Sequence, residues 1–353
     1  MDILHITSHM GDGAGKAISG LAISGSAGGA NTHSIMLLDK PQKINHINRC
    51  LNAGITVMGY NPKAIESADI IVLSWWGGGV MKRFIEDFPE AQCRIACWSH
   101  INGLYMPALP KYLTKNSDYL LATSPVILEN PNICVHGELI YGFGDFQPEK
   151  APVKTDYLLK NTEFVIGYVG MPGWKRLPRN FFDYCRKVIN KIPNCRFVLA
   201  GEASEEFKQA LSESEIAEHF TLTGWVSDVD KLLPSFDVFG YLMCWETSAT
   251  TENSVLEALA CGLPVIVSKM PIGKYLLEDG TSGFLADTPE QYAQIMESLY
   301  LDSRLREQIG KAGREHAIKK YRSDENLDRF NAACEEIMKY PKSIHSFKKG
   351  EGR

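Results

Sequence analysis

Short runs of branched apolar residues recur along this chain, and each is followed by a turn and a helix-patterned stretch. Ile3 to Thr7, His33 to Leu38, Ile70 to Ser74, Arg94 to Trp98 and Leu120 to Thr123 form one series of strands. Phe164 to Val169, Cys195 to Ala200, Phe220 to Leu222, Asp237 to Met243 and Leu263 to Val267 form a second. Strands that alternate with helices pair in parallel, so this pattern predicts an α/β chain of βαβ units with two parallel sheets. In such sheets ligands bind beyond the carboxyl ends of the strands, and the residues just after each run are the candidates for function. The two series are separated by Asp145 to Thr162, which is polar, holds two prolines and reads as a linker. The chain divides into an N-terminal domain over 1–148, a linker over 149–162, a C-terminal domain over 163–320, a closing helix over 321–340 and a tail over 341–353. The last six residues, KKGEGR, read as frayed.

The stretch with the most local detail is Thr250 to Ser268, TTENSVLEALACGLPVIVS. Ser254 and Glu257 have the S-x-x-E spacing of a capping box, so a helix is expected to begin there. Gly262 and Pro264 end that helix, and the run to Val267 suits a central strand. The N-terminus of such a helix carries unused N–H groups and a partial positive charge, which suits an anion.

Four other features stand just past strands. Gly11, Gly13 and Gly15 follow the first strand and make either a tight structural turn or a close backbone approach to a ligand. Met10 and Ala17 break the Walker pattern and Lys16 breaks the G-x-G-x-x-G pattern, which disfavours a P-loop kinase and a dehydrogenase. His100 lies two residues past the RIACW strand and is open to a structural or a catalytic role. Lys175, Arg176 and Arg179 stand in the loop GMPGWKRLPRNF, as a phosphate clamp or a solvated basic turn. Trp75, Trp76, Trp98 and Tyr105 near strand ends suit sugar stacking or core packing. Asp228-Val229-Asp230 imitates a D-x-D motif but reads as a cap for a short helix, so no metal is expected.

Composition narrows the class. A net charge of -5, without zinc-finger or helix-turn-helix spacing, argues against a nucleic-acid partner. The first 150 residues carry 11 Lys/Arg and 13 Asp/Glu, so composition gives no strongly basic face for an anionic membrane. No apolar run approaches the roughly 20 residues that span a bilayer. Nine cysteines are scattered without C-x-x-C spacing, and Cys134, Cys195 and Cys261 sit in apolar surroundings. This suits reduced core thiols in the cytoplasm, with room for peripheral contact at the inner face of the membrane.

Taken in order, these pieces resemble the retaining GT-B glycosyltransferases of family 4. The resemblance is carried by ILHITSHMGDGAGKAISGLA, WSHING, YVGMPGWKR, TGWVSDVDKLLPSFDVFGYL, ENSVLEALACGLPVIVS and GTSGFL. It implies two Rossmann-like domains facing a cleft, with the C-terminal helix returning toward the N-terminal domain. It implies transfer of a hexose-type sugar from a UDP- or GDP-linked donor to a glycan or lipid-linked glycan acceptor, with retention and without metal or other cofactor. Lys175 and Arg176 would stabilise the diphosphate, and His100 would sit beside the donor sugar. Gly11, Gly13 and Gly15 would let the first-domain loop approach the diphosphate. Backbone N–H groups around Glu252, Asn253 and Ser254 would meet phosphate or sugar, and Glu257 would accept from the ribose hydroxyls.

Two positions depart from the family pattern. Met171 stands where the usual arginine follows the strand glycine. Ala249 stands eight residues before Glu257, where the family has a sugar-facing glutamate; Glu246 and Glu252 are nearby at other spacings. The departure at Ala249 motivates a second reading, a nucleotide-sugar binding protein or an inactive partner subunit of a glycosyltransferase.

Overall fold

In the computed structural model of the chain, residues 1–40, 44–130, 133, 136–142, 146–152 and 163–347 are described. Cys134, the linker from 153 to 162 and the KKGEGR end lie outside them. The chain forms two compact units. One comprises Met1–Phe146, Ser248–Thr251 and Ser323–Arg353; the other comprises Gln147–Thr247 and Glu252–Arg322.

The strands of the first unit are β1 (Asp2–Thr7), β2 (Thr32–Leu37), β3 (Thr56–Met58), β4 (Ile70–Trp75), β5 (Gln92–Cys93), β6 (Ile95–Ser99), β7 (Tyr119–Ala122) and β8 (Gly137–Leu139). All except β5 join one sheet in the order β3-β2-β1-β4-β6-β7-β8, parallel at every pairing. The central strands β4 and β6 are buried along their whole length because both faces of the sheet are covered.

One face packs against helix Asp12–Ala27 through Ala17, Ile18 and Leu21, and against helix Ser323–Met338 through Phe330, Cys334 and Ile337. Burying a side chain the size of Phe330 or Ile337 contributes about 1.5–3 kcal/mol, so this late helix is an integral part of the first unit. Asn326 fixes its start: the Tyr141 N–H donates to Asn326 Oδ1 at 2.8 Å, and Asn326 Nδ2 donates to the Tyr141 carbonyl at 3.2 Å. The segment expected as a tail is ordered as far as Phe347. There β15 (Ser343–Ile344) pairs antiparallel with β5, and Phe347 is buried in the core on the other face of the sheet.

The strands of the second unit are β9 (Phe164–Val169), β10 (Cys195–Ala200), β11 (Phe220–Gly224), β12 (Val238–Tyr241), β13 (Val265–Ser268) and β14 (Phe284–Ala286). They form one parallel sheet in the order β11-β10-β9-β12-β13-β14. This is the doubly wound order, and its strand sequence reverses between β9 and β12, where a crevice opens beyond the carboxyl ends. Arg314 ties the start of the unit to its helices: its guanidinium donates to the carbonyls of Glu149 at 2.9 Å, Ala151 at 3.2 Å and Ala260.

Three local expectations need correction. The stretch after β1 is helical from Asp12, so Gly13 and Gly15 belong to a helix rather than a flexible turn. A Cβ on Gly15 would stand 2.4 Å from both the His46 ring and the Met10 carbonyl, so close helix packing requires glycine there. The helix expected to start at Ser254 spans Asn253–Ala260, with Glu252 at its N-cap and no side-chain cap bond. There is therefore no capping box, and Glu257 lies beyond the first turn. The sequence from Ser204 to His219 reads as one helix, yet the helix spans Glu205–Ser212, with Ser204 as its cap, accepting from the Phe207 N–H at 3.3 Å. Among the described residues, no helix is long and apolar enough to cross a membrane.

Candidate functional site

In the second unit, the reversal of strand order brings the loops after β9 and β12 side by side. After Val169 the chain makes a turn through Gly170 to Gly173 and then one helical turn, with the Arg176 and Leu177 N–H groups donating to the Gly173 carbonyl at 2.9 Å each. Trp174 anchors that turn against Phe182 and Phe207, with ring centroids at 5.6 and 5.3 Å. The next two residues, Lys175 and Arg176, project the cations: Lys175 is exposed and Arg176 half-exposed. Arg179 lies apart from them, over the Trp174 ring at 5.9 Å. That stacking gives it a local role, and only two of the three expected loop cations stand together.

The loop after β12 is stitched to its neighbours by backbone bonds. The Met243 N–H donates to Ser268 Oγ at 2.8 Å, and the Cys244 N–H donates to the Arg176 carbonyl at 2.7 Å. At the end of this loop Glu252 meets the basic turn. Its carboxylate lies 3.7 Å from the Arg176 guanidinium and accepts from the Tyr241 hydroxyl at 2.6 Å. Tyr241 in turn stacks on Tyr168, with centroids 5.0 Å apart and planes 10° apart. Glu252 raises the Arg176 pKa above the usual guanidinium value. Burial, then the Glu252 charge, pushes the Tyr241 hydroxyl well up, so it stays a donor. With Arg176 half-exposed, this ion pair adds no more than about 1 kcal/mol to stability. Its consequence is geometric: it fixes the direction of the guanidinium.

Helix Asn253–Ala260 begins at that point. The Val255 and Leu256 N–H groups bond to the Glu252 carbonyl at 2.9 and 3.2 Å, so the earlier N–H groups have no acceptor within the helix. Asn253 and Ser254 thus stand at a helix N-terminus next to the Arg176–Glu252 pair, an arrangement suited to an anion. Glu257 is half-buried one turn further along, and Glu246 is exposed in the preceding loop. Asp228 is engaged by Lys231 at 3.1 Å.

In the first unit, His100 follows β6 and is buried. The Trp76 ring stacks on it at 3.9 Å and 4°, and Trp98 lies against it at 4.2 Å, tilted by 51°. Its N–H donates to the Trp75 carbonyl at 3.0 Å. Burial holds its pKa well below the ordinary imidazole value, so the ring is neutral at pH 7. Trp75 and Trp98 are core residues, their indole N–H groups satisfied by the Ala108 and Ile140 carbonyls at 3.2 and 3.1 Å.

Gly11 sits at the N-cap of helix Asp12–Ala27, its N–H on His9 Nδ1 at 3.2 Å. Gly13 is exposed, and a side chain there would meet open space. Ala249 belongs to the first unit and is buried, its carbonyl accepting from Asn102 Nδ2 at 2.9 Å. Sequence reasoning missed Tyr241 and the partner it gives Glu252. Both stand near the end of β12, but their pairing depends on how the loop folds back.

The chain matches the family "Glycosyl transferases group 1" over residues 150–316. It is 30% identical over 134 residues to the UDP-Gal:alpha-D-GlcNAc-diphosphoundecaprenol alpha-1,3-galactosyltransferase of Escherichia coli, covering 36% of this chain and 34% of that enzyme. The matches span about a third to a half of the length of the first curated relatives. Among solved structures it resembles Anabaena HepE in complex with UDP and glucose, with a TM-score of 0.74 at 15% identity, covering 95% of this chain and 100% of that one. It also resembles sucrose-phosphate synthase from Thermosynechococcus elongatus, with a TM-score of 0.71 at 14% identity, covering 96% and 99%. These likenesses extend over both sheets, whereas the family match lies in the second unit apart from Ser248–Thr251, and includes the loops after β9 and β12. The chain thus has the two parallel-sheet, Rossmann-like units of the GT-B fold, and its residues 150–316 are similar to the group 1 glycosyltransferases.

Proposed function

We propose that the protein transfers a hexose-type sugar from a UDP- or GDP-linked donor to a glycan or lipid-linked glycan, with retention at the anomeric carbon and without a metal or other cofactor. The observation that carries this reading is Arg176, fixed by Glu252 at 3.7 Å beside the N-terminus of helix Asn253–Ala260. Expelling a nucleoside diphosphate builds negative charge on the leaving phosphate. A guanidinium and a helix N-terminus supply fixed donors where that charge develops; removing one such donor typically costs about 3 kcal/mol. Lys175 adds a second, exposed cation, and Glu257 is assigned to the ribose hydroxyls. His100 is assigned to the donor sugar as a neutral hydrogen-bonding group. Structural neighbours bound to UDP and glucose support a nucleotide-sugar donor, and the undecaprenol-linked substrate of the Escherichia coli relative supports a lipid-linked acceptor. With such an acceptor the protein works in the cytoplasm, with peripheral contact at the inner face of the membrane.

Ala249 favours a second reading, a nucleotide-sugar binding protein or inactive partner subunit, because no carboxylate stands at that buried position. A screen of UDP, GDP and ADP and their sugars separates the two. The enzyme reading expects one nucleotide to raise the melting temperature by mass action and its sugar to be turned over slowly by hydrolysis or rapidly with acceptor. Binding without any turnover leaves the second reading standing. Glu257→Ala and Lys175→Ala each remove most of the melting shift; if neither does, the assigned site is wrong.

A further inference from the structure

The loop between β4 and the helix after it carries a tryptophan that neither the packing of the sheet nor the donor site of the second unit accounts for. Trp76 is half-buried, whereas its neighbour Trp75 points into the core. Its ring lies parallel to the His100 imidazole, with centroids 3.9 Å apart and planes 4° apart. Trp98 approaches the same imidazole at 4.2 Å. A Cβ on Gly142 would stand 3.4 Å from His100 Nδ1, so the ring edge is crowded as well. Below the ring, the His100 carbonyl accepts from Thr250 Oγ1 at 3.4 Å. The imidazole is thus constrained by both chain and side-chain packing. Its Nε2 is buried and has no hydrogen-bond partner among the described residues, and the same holds for the indole nitrogen of Trp76. Two polar nitrogens of one stacked pair are therefore left for a ligand, at a cost the fold does not recover by itself.

We infer that Trp76 is a positioning residue: by stacking on His100 it fixes the imidazole plane and keeps that ring dry, so that Nε2 is presented as a neutral hydrogen-bonding group. The inference rests on the reading of His100 as a contact to the donor sugar. A neutral imidazole serves that task better than a charged one, because a sugar hydroxyl both donates and accepts. Among the described residues shown against the ring, Trp76 after β4, Trp98 on β6 and Gly142 after β8 bring no ionisable side chain. His5 on β1, itself buried against His33, is coupled to it electrostatically.

The test uses the full chain labelled with ¹³C-histidine, the His100 signal being assigned from its loss in His100→Gln. In the wild-type protein this signal is expected to stay in its neutral form well below the pH at which a free imidazole titrates. Trp76→Leu is expected to raise the His100 pKa by at least one unit, and Trp76→Phe, which keeps a stacking ring without the N–H, to leave it within a few tenths of a unit. Trp76→Met serves if the leucine variant does not fold. With UDP-glucose and UDP-galactose as probes, the acidic limb of the turnover profile moves with the His100 pKa in the leucine variant and returns in the phenylalanine variant. A leucine or methionine variant whose His100 titrates as in wild type overturns the inference. Full turnover in His100→Gln instead sinks the reading of His100 as a donor contact, and the titration still decides whether Trp76 sets the state of the ring.

Discussion

The two units share one architecture but face the space beyond their strand ends with opposite chemistry. In the second, the crevice between β9 and β12 is ionic: Arg176, Glu252 and the Tyr241 hydroxyl form a chain of contacts at 3.7 and 2.6 Å beside a helix N-terminus. In the first, the end of β6 carries a neutral, aromatic cluster: buried His100 against Trp98 and half-buried Trp76, with a stacked His5–His33 pair in the core. An ionic face suits a diphosphate, whose charge needs fixed counter-charges. A neutral face suits hydroxyl groups, which need direction rather than charge.

The sharpest break in this comparison is expected at Arg176. Arg176→Ala removes the guanidinium from the ionic face and lowers donor turnover by about 10²- to 10³-fold. Arg176→Lys recovers only part of that, since a lysine lacks the planar fork. Steady-state kinetics against the donor found in the screen checks both. Loss confined to KM would mean that Arg176 binds donor and transition state equally.

On the neutral face the expected effect is on stability. His33 is held down to about 4 by burial and by the N-terminal ammonium, and burial also holds His5 well below the ordinary imidazole value, helped by the neighbouring His33 and His100. Their rings meet at 2.8 Å, Nε2 to Nδ1, and Phe330 of the late helix stacks on His5 and lies tilted against His33. These histidines bind protons in the unfolded chain below about pH 6.5 but not in the folded one. Their contribution is thus fully present above that pH and is lost as pH falls, His33 ceasing to add to the loss below about 4. Each adds up to roughly 1.4 kcal/mol per pH unit within its window. Urea unfolding at pH 7.5 and pH 5 measures this; equal stability at the two would contradict the neutral pair. His33→Gln is expected to flatten the dependence.

Much of the fold was legible in the sequence because branched apolar runs mark buried parallel strands directly. β9 and β10 were bounded to the residue, while β3, β8 and β14 were missed. Each of these is only three residues long, too short to show a period. The candidate site was legible in part. The basic turn after β9 and the helix near Glu257 were both recognised. Their junction was not, because Glu252 was expected to contribute backbone groups and its carboxylate instead engages Arg176. Gly15 illustrates the opposite error: a glycine after a first strand suggests a ligand, yet here helix packing against His46 and the Met10 carbonyl requires it. On the neutral face, no spacing in the sequence reveals that Trp76 and His100, on different loops, stack at 3.9 Å.

A smaller effect is expected at Glu252, where the ionic face is tuned rather than built. Its carboxylate competes with a diphosphate for Arg176. Glu252→Gln is therefore expected to tighten UDP binding several-fold while changing stability by no more than about 1 kcal/mol. If UDP binds more tightly yet sugar turnover falls, Glu252 also takes the sugar-facing role that Ala249 leaves unfilled. Weaker UDP binding would mean that its chief effect is to hold Arg176 in place.

Calorimetric titration of the full chain with UDP and GDP, in wild type and Arg176→Ala, bears most directly on the claim that the crevice between β9 and β12 receives a nucleoside diphosphate. The wild-type protein is expected to bind one nucleotide at one site, and the variant to lose at least tenfold in affinity. A wild-type chain that binds neither nucleotide, or a variant that binds as tightly as wild type, would contradict it.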